Sequence, residues 1–422
     1  MDGRSVEGAC ERVKACKLIL VSVMPLFFLS GCLGKAELEQ QAYVVALGLD
    51  KTEDKLVKVT FQIANPQVGS SSKVAAPNEP PSDIVTFTAP DILSAKELAN
   101  SVVPRKLNFG HLRTIIIGEE LAKAKWIHHI LASSIVDPEM RRETNIVVSK
   151  EKASEFIKKN KPKMETRPHK YYAFMQQRWR DTGYVPYANL NRYFQRLSGE
   201  LFLAIYATTE KNENVRKNED DYKAGQVPQQ SGDPVQMIGS AVFKDGRMIG
   251  TLTGEETRIS LFLRRKALGH TFIESFPDPI NDKYRITVRM TKPGHTKVKV
   301  NTKKSPPEIN VSMPIRIQVF SNPSLTNYST NIENQKRLKQ SIKARMEKQT
   351  MKLIKRTQDE FKSEPFLWYL EARRKFWTMP EYENYDWEKK YTDAKVEVNY
   401  DVMIESFGET LKPAAIKKQD KD

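Results

Sequence analysis

The stretch EINVSMPIRIQVF, Glu308 to Phe320, places Ile309, Val311, Met313, Ile315, Ile317 and Val319 at every second position. A period of two sets all six on one face of a β-strand, and a face so apolar has to be covered. The cover follows directly in sequence. Ile332 to Phe361 carries Leu338, Ile342, Met346 and Ile354 as an apolar stripe among many lysines, the pattern of a long helix burying one side. Its basic face also suits lipid headgroups, but the stripe is narrow and the length matches a sheet, so packing on the core is favoured. YRITVRM, TKVKVNT and the late KVEVNYDVMI alternate as well. The C-terminal half is therefore expected to be an antiparallel sheet packed with one dominant helix.

The N-terminal half reads differently. AYVVALGLD and KLVKVTFQIANP flank a polar turn, and Val57, Val59, Phe61 and Ile63 alternate with Lys58, Thr60 and Gln62, predicting a strand pair with one wet face. Gln67 to Ser82 reads as a loop, and Ile92 to Val103 as a short helix that ends before Pro104. Thr114 to Ile117 is an unbroken β-branched run, fit for a strand buried on both faces; Gly118 ends it, and Glu119 and Glu120 open a helix. After a turn at Asp137 and Pro138, Asn145 to Ser149 is a second buried strand, followed by a helix from Glu151. Further helices are expected at Asn189 to Leu197 and Glu255 to Ala267, and Asp245 and Gly246 form the tight turn of a hairpin. Lys211 to Gln236 is almost wholly polar and reads as a flexible connection between two halves.

The fold class is thus α+β and multi-domain. The expected divisions are a leader at 1–31, an N-terminal region at 32–210, the polar linker at 211–236, a C-terminal domain at 237–410 and a basic tail at 411–422.

The leader follows from the chain's first residues. Leu18 to Leu29 holds a single polar residue, Ser22, and follows Arg12, Lys14 and Lys17. That is the layout of an export signal. Its twelve residues fall short of the roughly 20 that a helix needs to cross a bilayer. Leu29, Ser30 and Gly31 before Cys32 look like a bacterial lipobox, in which the cysteine sulfur takes a diacylglyceryl group. Cleavage behind Gly31 would leave Cys32 as an N-acylated first residue. One acyl chain binds reversibly, whereas two or three hold a protein durably.

Composition narrows the partners. The chain carries 68 basic and 52 acidic residues; loss of residues 1–31 removes four and three of these, leaving an excess of 15 positive charges. In an exported protein that excess does not point to nucleic acid; an anionic membrane surface fits it, and so does a soluble basic surface with no target. Cys10 and Cys16 lie in the leader, so Cys32 is the one cysteine of the mature chain, and neither an internal disulfide nor a thiolate cluster can form. No later apolar run nears 18 residues, the threshold at which about that many would read as a membrane span. Everything after Cys32 is expected to be water-soluble.

Catalytic patterns are missing from the sequence. His111, His128, His129, His169, His270 and His295 form no HExxH, and the adjacent pair would point about 100° apart on a helix. GxSxG, Walker A and GxGxxG motifs are likewise absent. The chain is expected to be no enzyme and to hold no cofactor or metal. The turn at Glu119 and Glu120 could meet a ligand at a strand end, though helix capping suffices to explain it. Arg141 and Arg142 could pair with Glu139 or Glu143, or face a partner. Trp368, Trp377 and Trp387, with Tyr369, Tyr382 and Tyr385, fill either a core or an interface.

Taken in order, these stretches resemble the Ger(x)C family, the lipoprotein C subunits of nutrient germinant receptors in endospore-forming bacteria. The matching features are the lipobox and YVVALGLD, then GHLRTIIIGEELA and DPEMRRE, then GSAVFKDGRMIGTLTGEETR, and last the long helix leading to VEVNYDVMIESFG. Lys211 to Gln236 and KYYAFMQQRWRD fall outside the resemblance. It implies a protein anchored through Cys32 on the outer face of the spore inner membrane, beside integral-membrane A and B subunits, the latter resembling amino-acid permeases. Assembly or signalling of the receptor would be its role, with nutrient recognition mainly in the partners. The competing class is a solute-binding lipoprotein of a transporter, which would show two similar α/β lobes around a cleft.

Overall fold

The computed structural model describes residues 38–65, 80–197, 200–211, 221–266 and 271–407. The leader, Cys32 and the basic tail lie outside them. Residues up to Ala42 form one compact unit, described only by a 3-10 turn, Leu38–Gln40, and the first residues of strand β1 (Gln41–Lys51). Tyr43 onward forms the other.

The first sheet is mixed. Strands β2 (Val57–Ala64) and β3 (Ser82–Ala89) extend it antiparallel from β1, and β4 (Lys106–Asn108) pairs β1 as well. Its centre is parallel: β1, β5 (Thr114–Gly118), β6 (Asn145–Ser149) and β7 (Phe202–Thr208) run in the same direction. Every residue of β5, β6 and β7 is buried, as the unbroken apolar runs require of strands covered on both faces. The covering helices are α1 (Ile92–Asn100), α2 (Glu119–Ala122), α3 (Ile127–Ser134), α4 (Ala153–Lys159), α5 (Pro168–Thr182) and α6 (Leu190–Phe194).

The expected wet face of β2 is not wet. Thr60 and Gln62 are buried, because α4 packs against that face. Their polar groups are satisfied locally: Thr60 Oγ1 lies 3.0 Å from Thr86 Oγ1, and Gln62 Nε2 donates to Ser82 Oγ at 3.2 Å. β3 itself fills part of a segment that sequence patterning left without a strand.

The polar connection also behaves differently from the expectation. β7 pairs antiparallel with β8 (Gln236–Lys244), so the segment from Lys211 to Gln236 returns the chain to the next strand of the same sheet. Its described part is tied down: Asp221 Oδ2 accepts from Thr253 Oγ1 at 2.7 Å and Gln236 Oε1 from the Gly225 amide at 2.9 Å. β8 turns through Asp245 and Gly246, both at positive φ, into β9 (Arg247–Leu252). That is the tight hairpin expected from the Asp-Gly pair. The first sheet thus draws strands from both halves of the sequence.

Helix α7 (Gly254–Leu263), shorter than the sequence suggested, leads to the second sheet. Here β10 (Thr271–Pro277), β11 (Arg285–Thr291), β13 (Glu308–Ser321) and β12 (Lys297–Asn301) are antiparallel. The six alternating residues of β13, Ile309 to Val319, are all buried. Each such side chain contributes roughly 1.5–3 kcal/mol. Pro314 falls between the stretches of β13 that pair with β12 and β11, where no antiparallel neighbour needs its missing amide.

Helix α8 (Ile332–Arg356) continues into a π-helical turn, Thr357–Phe361, and buries Leu338, Ile342, Met346 and Ile354, so the stripe does face the core. Three short helices follow, α9 (Tyr369–Arg373), α10 (Met379–Tyr385) and α11 (Trp387–Thr392), and then β14 (Lys395–Ser406). β14 pairs parallel to β13, the one departure from an antiparallel sheet. A 25-residue helix spans about 37 Å and carries the chain back along β13, so the next strand starts from the same end. Thr350 and Tyr400 hydroxyls meet at 2.6 Å between α8 and β14.

A continuous apolar cluster joins the two sheets, from Leu203 and Val242 through Phe262 of α7 to Ile309 and Ile317.

Candidate functional site

The carboxyl ends of parallel strands are where α/β layers usually meet ligands. Here β1, β5 and β6 end at a crevice of about 130 Å3 lined by Asp50, Gly118, Glu119, Glu120, Lys150 and Glu151 among others. The Asp50 carboxylate accepts the amides of Ala153 at 2.6 Å and Ser154 at 2.9 Å, filling the α4 N-terminus with the chain's own anion. A Cβ on Gly118 would stand 2.6 Å from Asp50 Oδ1, so only glycine lets that carboxylate approach. Glu119 accepts from the Tyr206 hydroxyl at 2.6 Å and from Lys123 at 2.5 Å. Burial alone would raise its pKa, but those two donors outweigh it and hold the carboxyl below its ordinary value. Glu151 accepts from the Thr208 hydroxyl and the Thr209 amide, each at 2.7 Å. The acids of this turn therefore cap helices and pin strand ends.

In DPEMRRE the partner of Glu139 is neither neighbouring arginine. Lys96 bridges Asp137 at 2.7 Å and Glu139 at 2.9 Å, while sitting over the Phe109 ring at 4.4 Å. Burial would lower the Lys96 pKa; the two carboxylates outweigh it and raise it instead. Arg141 and Arg142 are exposed.

His111 packs edge-on to Tyr43, and His128 and His129 rings are 5.7 Å apart on α3; His270 lies outside the described residues. Among the described residues no three His, Cys, Asp or Glu side chains are placed to hold a metal.

The tryptophans divide. Trp368 is buried and donates Nε1–H to the Leu263 carbonyl at 3.2 Å, Trp387 is buried beside Tyr391, and Trp377 is 98% exposed.

A second, larger cavity went unseen in the sequence. About 230 Å3 in volume, it opens between the residues before β7 and those after α8, with aromatic walls from Tyr369, Tyr382, Trp387 and Tyr391. Glu200, Glu364 and Glu383 are among its carboxylates. Glu364 accepts the amides of Phe366 at 2.6 Å and Tyr369 at 2.8 Å, and burial pushes its pKa up to about 7. Burial also raises Glu200, which takes a hydrogen bond from the Tyr369 hydroxyl. No sequence signal gathers these residues, because Glu200 is separated from the rest by the chain from β7 through α8.

Comparison with known proteins gives two family matches in tandem. The spore germination protein N-terminal domain matches residues 34–208, and the spore germination B3/GerAC-like C-terminal domain matches residues 238–408. Spore germination protein B3 of Bacillus subtilis (strain 168) is 21% identical over 84% of this chain and 87% of its own length. Spore germination protein KC of the same organism is 31% identical, over 35% of this chain and 37% of that protein, so this match spans little more than a third of it. The crystal structure of the GerBC protein covers 85% of this chain and 96% of its own at a TM-score of 0.49 and 17% identity. No helix among the described residues is long and apolar enough to cross a membrane.

Proposed function

Since the chain belongs to the Ger(x)C family of spore germination proteins, we propose that it is the lipid-anchored C subunit of a nutrient germinant receptor. The observation that carries this reading is an arrangement: both germination domains lie in tandem, and a lipobox cysteine, Cys32, stands two residues before the first of them. In the proposed mature protein, cleavage behind Gly31 exposes Cys32 for S-diacylglyceryl and N-acyl groups. The regions 32–210 and 237–410 follow it, on the outer face of the spore inner membrane.

The anchor's physical effect is confinement. Held beside a bilayer, the subunit searches for its integral-membrane A and B partners within a thin layer, which raises effective concentration without new contacts. The excess of 15 positive charges supports the same placement, since each Lys or Arg near an anionic surface contributes about 1 kcal/mol. The subunit then acts in receptor assembly or signalling without covalent chemistry of its own. A solute-binding lipoprotein needs two alike lobes, whereas one sheet here is mixed and nine-stranded and the other five-stranded with a single long helix.

The test is Cys32→Ala in spores. Loss of acyl labelling together with loss of response to one class of nutrient is expected. Loss of labelling with unchanged germination by every nutrient would remove the receptor role.

A further inference from the structure

We infer that the end of the second sheet where α8 begins inserts an apolar tip into the interface of an anionic lipid bilayer. The inference rests on the proposed membrane placement and names the face of the protein that meets the membrane.

Two connections meet at this end, the turn from β10 to β11 and the loop from β13 to α8. One carboxylate joins them. Asp278, in the turn, is buried and accepts from the Tyr328 hydroxyl at 2.5 Å, from Ser324 Oγ, and from the amides of Ile280 at 2.8 Å and Asn281 at 3.2 Å. The start of α8 is tied to the same loop, because Asn334 Nδ2 donates to the Asn327 carbonyl at 3.0 Å. The segments fixed in this way present Ile280, Tyr284, Leu325 and Ile332, each at least 40% exposed. Apolar side chains gathered at a surface mark a place of interaction.

Leu325 is the most telling of the four. Its φ of +56° lies in the left-handed region, which suits glycine or asparagine and strains a leucine. Burial within the chain does not offset that strain, since the side chain is 47% exposed. Insertion into a bilayer interface does.

The surrounding charges select the partner. Lys283 stands next to Tyr284, and on α8 Ile332, Lys336 and Lys339 share one face at i, i+4 and i+7; these lysines are exposed, as is Arg337. The exposed acids in these segments are Asp282 and Glu333, and Glu333 has Arg337 at 3.7 Å. An apolar tip within a basic collar suits a membrane interface, where anionic headgroups draw such cations within a screening length of about 8 Å. An apolar protein surface would match the tip but leave the lysines without anions.

Fluorescence of the acylated protein in vesicles tests this. With the leader removed and Cys32 acylated, Ile332→Cys supplies a single free thiol for an environment-sensitive dye, and Glu53→Cys, exposed in the turn between β1 and β2, supplies the reference. In phosphatidylcholine vesicles containing phosphatidylglycerol, spin-labelled lipid is expected to quench the dye at 332 about twofold more than at 53, and the difference should shrink without phosphatidylglycerol. Leu325→Asn relieves the backbone strain and so retains the fold, yet should lose most of that difference. Lys336→Gln with Lys339→Gln should reduce it in the anionic vesicles alone. Equal quenching at 332 and 53 overturns the inference and leaves this face to a protein partner. Quenching indifferent both to phosphatidylglycerol and to Leu325→Asn overturns it as well. A dye that also reaches Cys32 would contradict the anchor rather than the tip, since that contribution is common to both probes.

Discussion

The guanidinium of Arg258 lies 3.6 Å from the centre of the Tyr184 ring, at the place where the two sheets meet. Arg258 stands on α7; its Nε donates to the Thr182 carbonyl at the end of α5, and Nη1 donates to the Ile273 carbonyl of β10. Phe272 closes the other side at 5.2 Å. One planar cation therefore ties three elements together through two carbonyls and two rings.

Arg258→Lys is expected to lower stability by about 2 kcal/mol, since an ammonium cannot serve both carbonyls and stack as well. Arg258→Ala should cost more, because it also opens space under Phe272. Urea unfolding measured on both variants checks the order; equal stability of Lys and wild type would refute the rivet.

A second prediction concerns the α4 N-terminus. Asp50→Ala leaves the amides of Ala153 and Ser154 enclosed without an acceptor, and about 2–4 kcal/mol should be lost. Asp50→Asn keeps one acceptor oxygen and should lose roughly half as much. Hydrogen exchange at Ala153 and Ser154 reads the same contacts directly, and both amides should exchange faster in the Ala variant.

How much of this was legible follows from which pattern each element obeys. The alternation of β13 and the stripe of α8 named their buried residues correctly, because each element has one covered side and one wet side. The runs of β5 and β6 announced buried strands. Alternation carries no direction, however, so the parallel pairing of β14 became visible only with the helix crossing above it. β2 deceived because Thr60 and Gln62 are polar yet buried, satisfied by Thr86 and Ser82 of a strand that the sequence hid. α5, rich in polar residues, shows no clear stripe although Tyr171, Tyr172 and Trp179 are buried. The cavity beside Glu200 was illegible, since Glu200 meets Glu364 and Trp387 only through tertiary packing.

Stability should fall as pH rises from acid to mildly alkaline. Burial, helped by Glu274 and Asp221, pushes Glu255 up to about 8, and burial pushes Glu364 up to about 7. Below the ordinary carboxyl value of 4.5, folded and unfolded chains both hold these protons and nothing is lost. Between there and about 8 the unfolded chain releases protons that the folded chain retains, so unfolding becomes easier with rising pH. Urea midpoints at three values across that window should decline in the wild type. Glu255→Gln should flatten the decline; a slope unchanged in the variant would contradict the assignment.

Mass spectrometry of the N-terminal peptide from the native spore-membrane protein tests the central claim most directly. The account predicts a peptide that begins at Cys32 and bears a diacylglyceryl thioether and an amide-linked acyl chain. A peptide that runs through Gly31 into an unmodified Cys32 would contradict it.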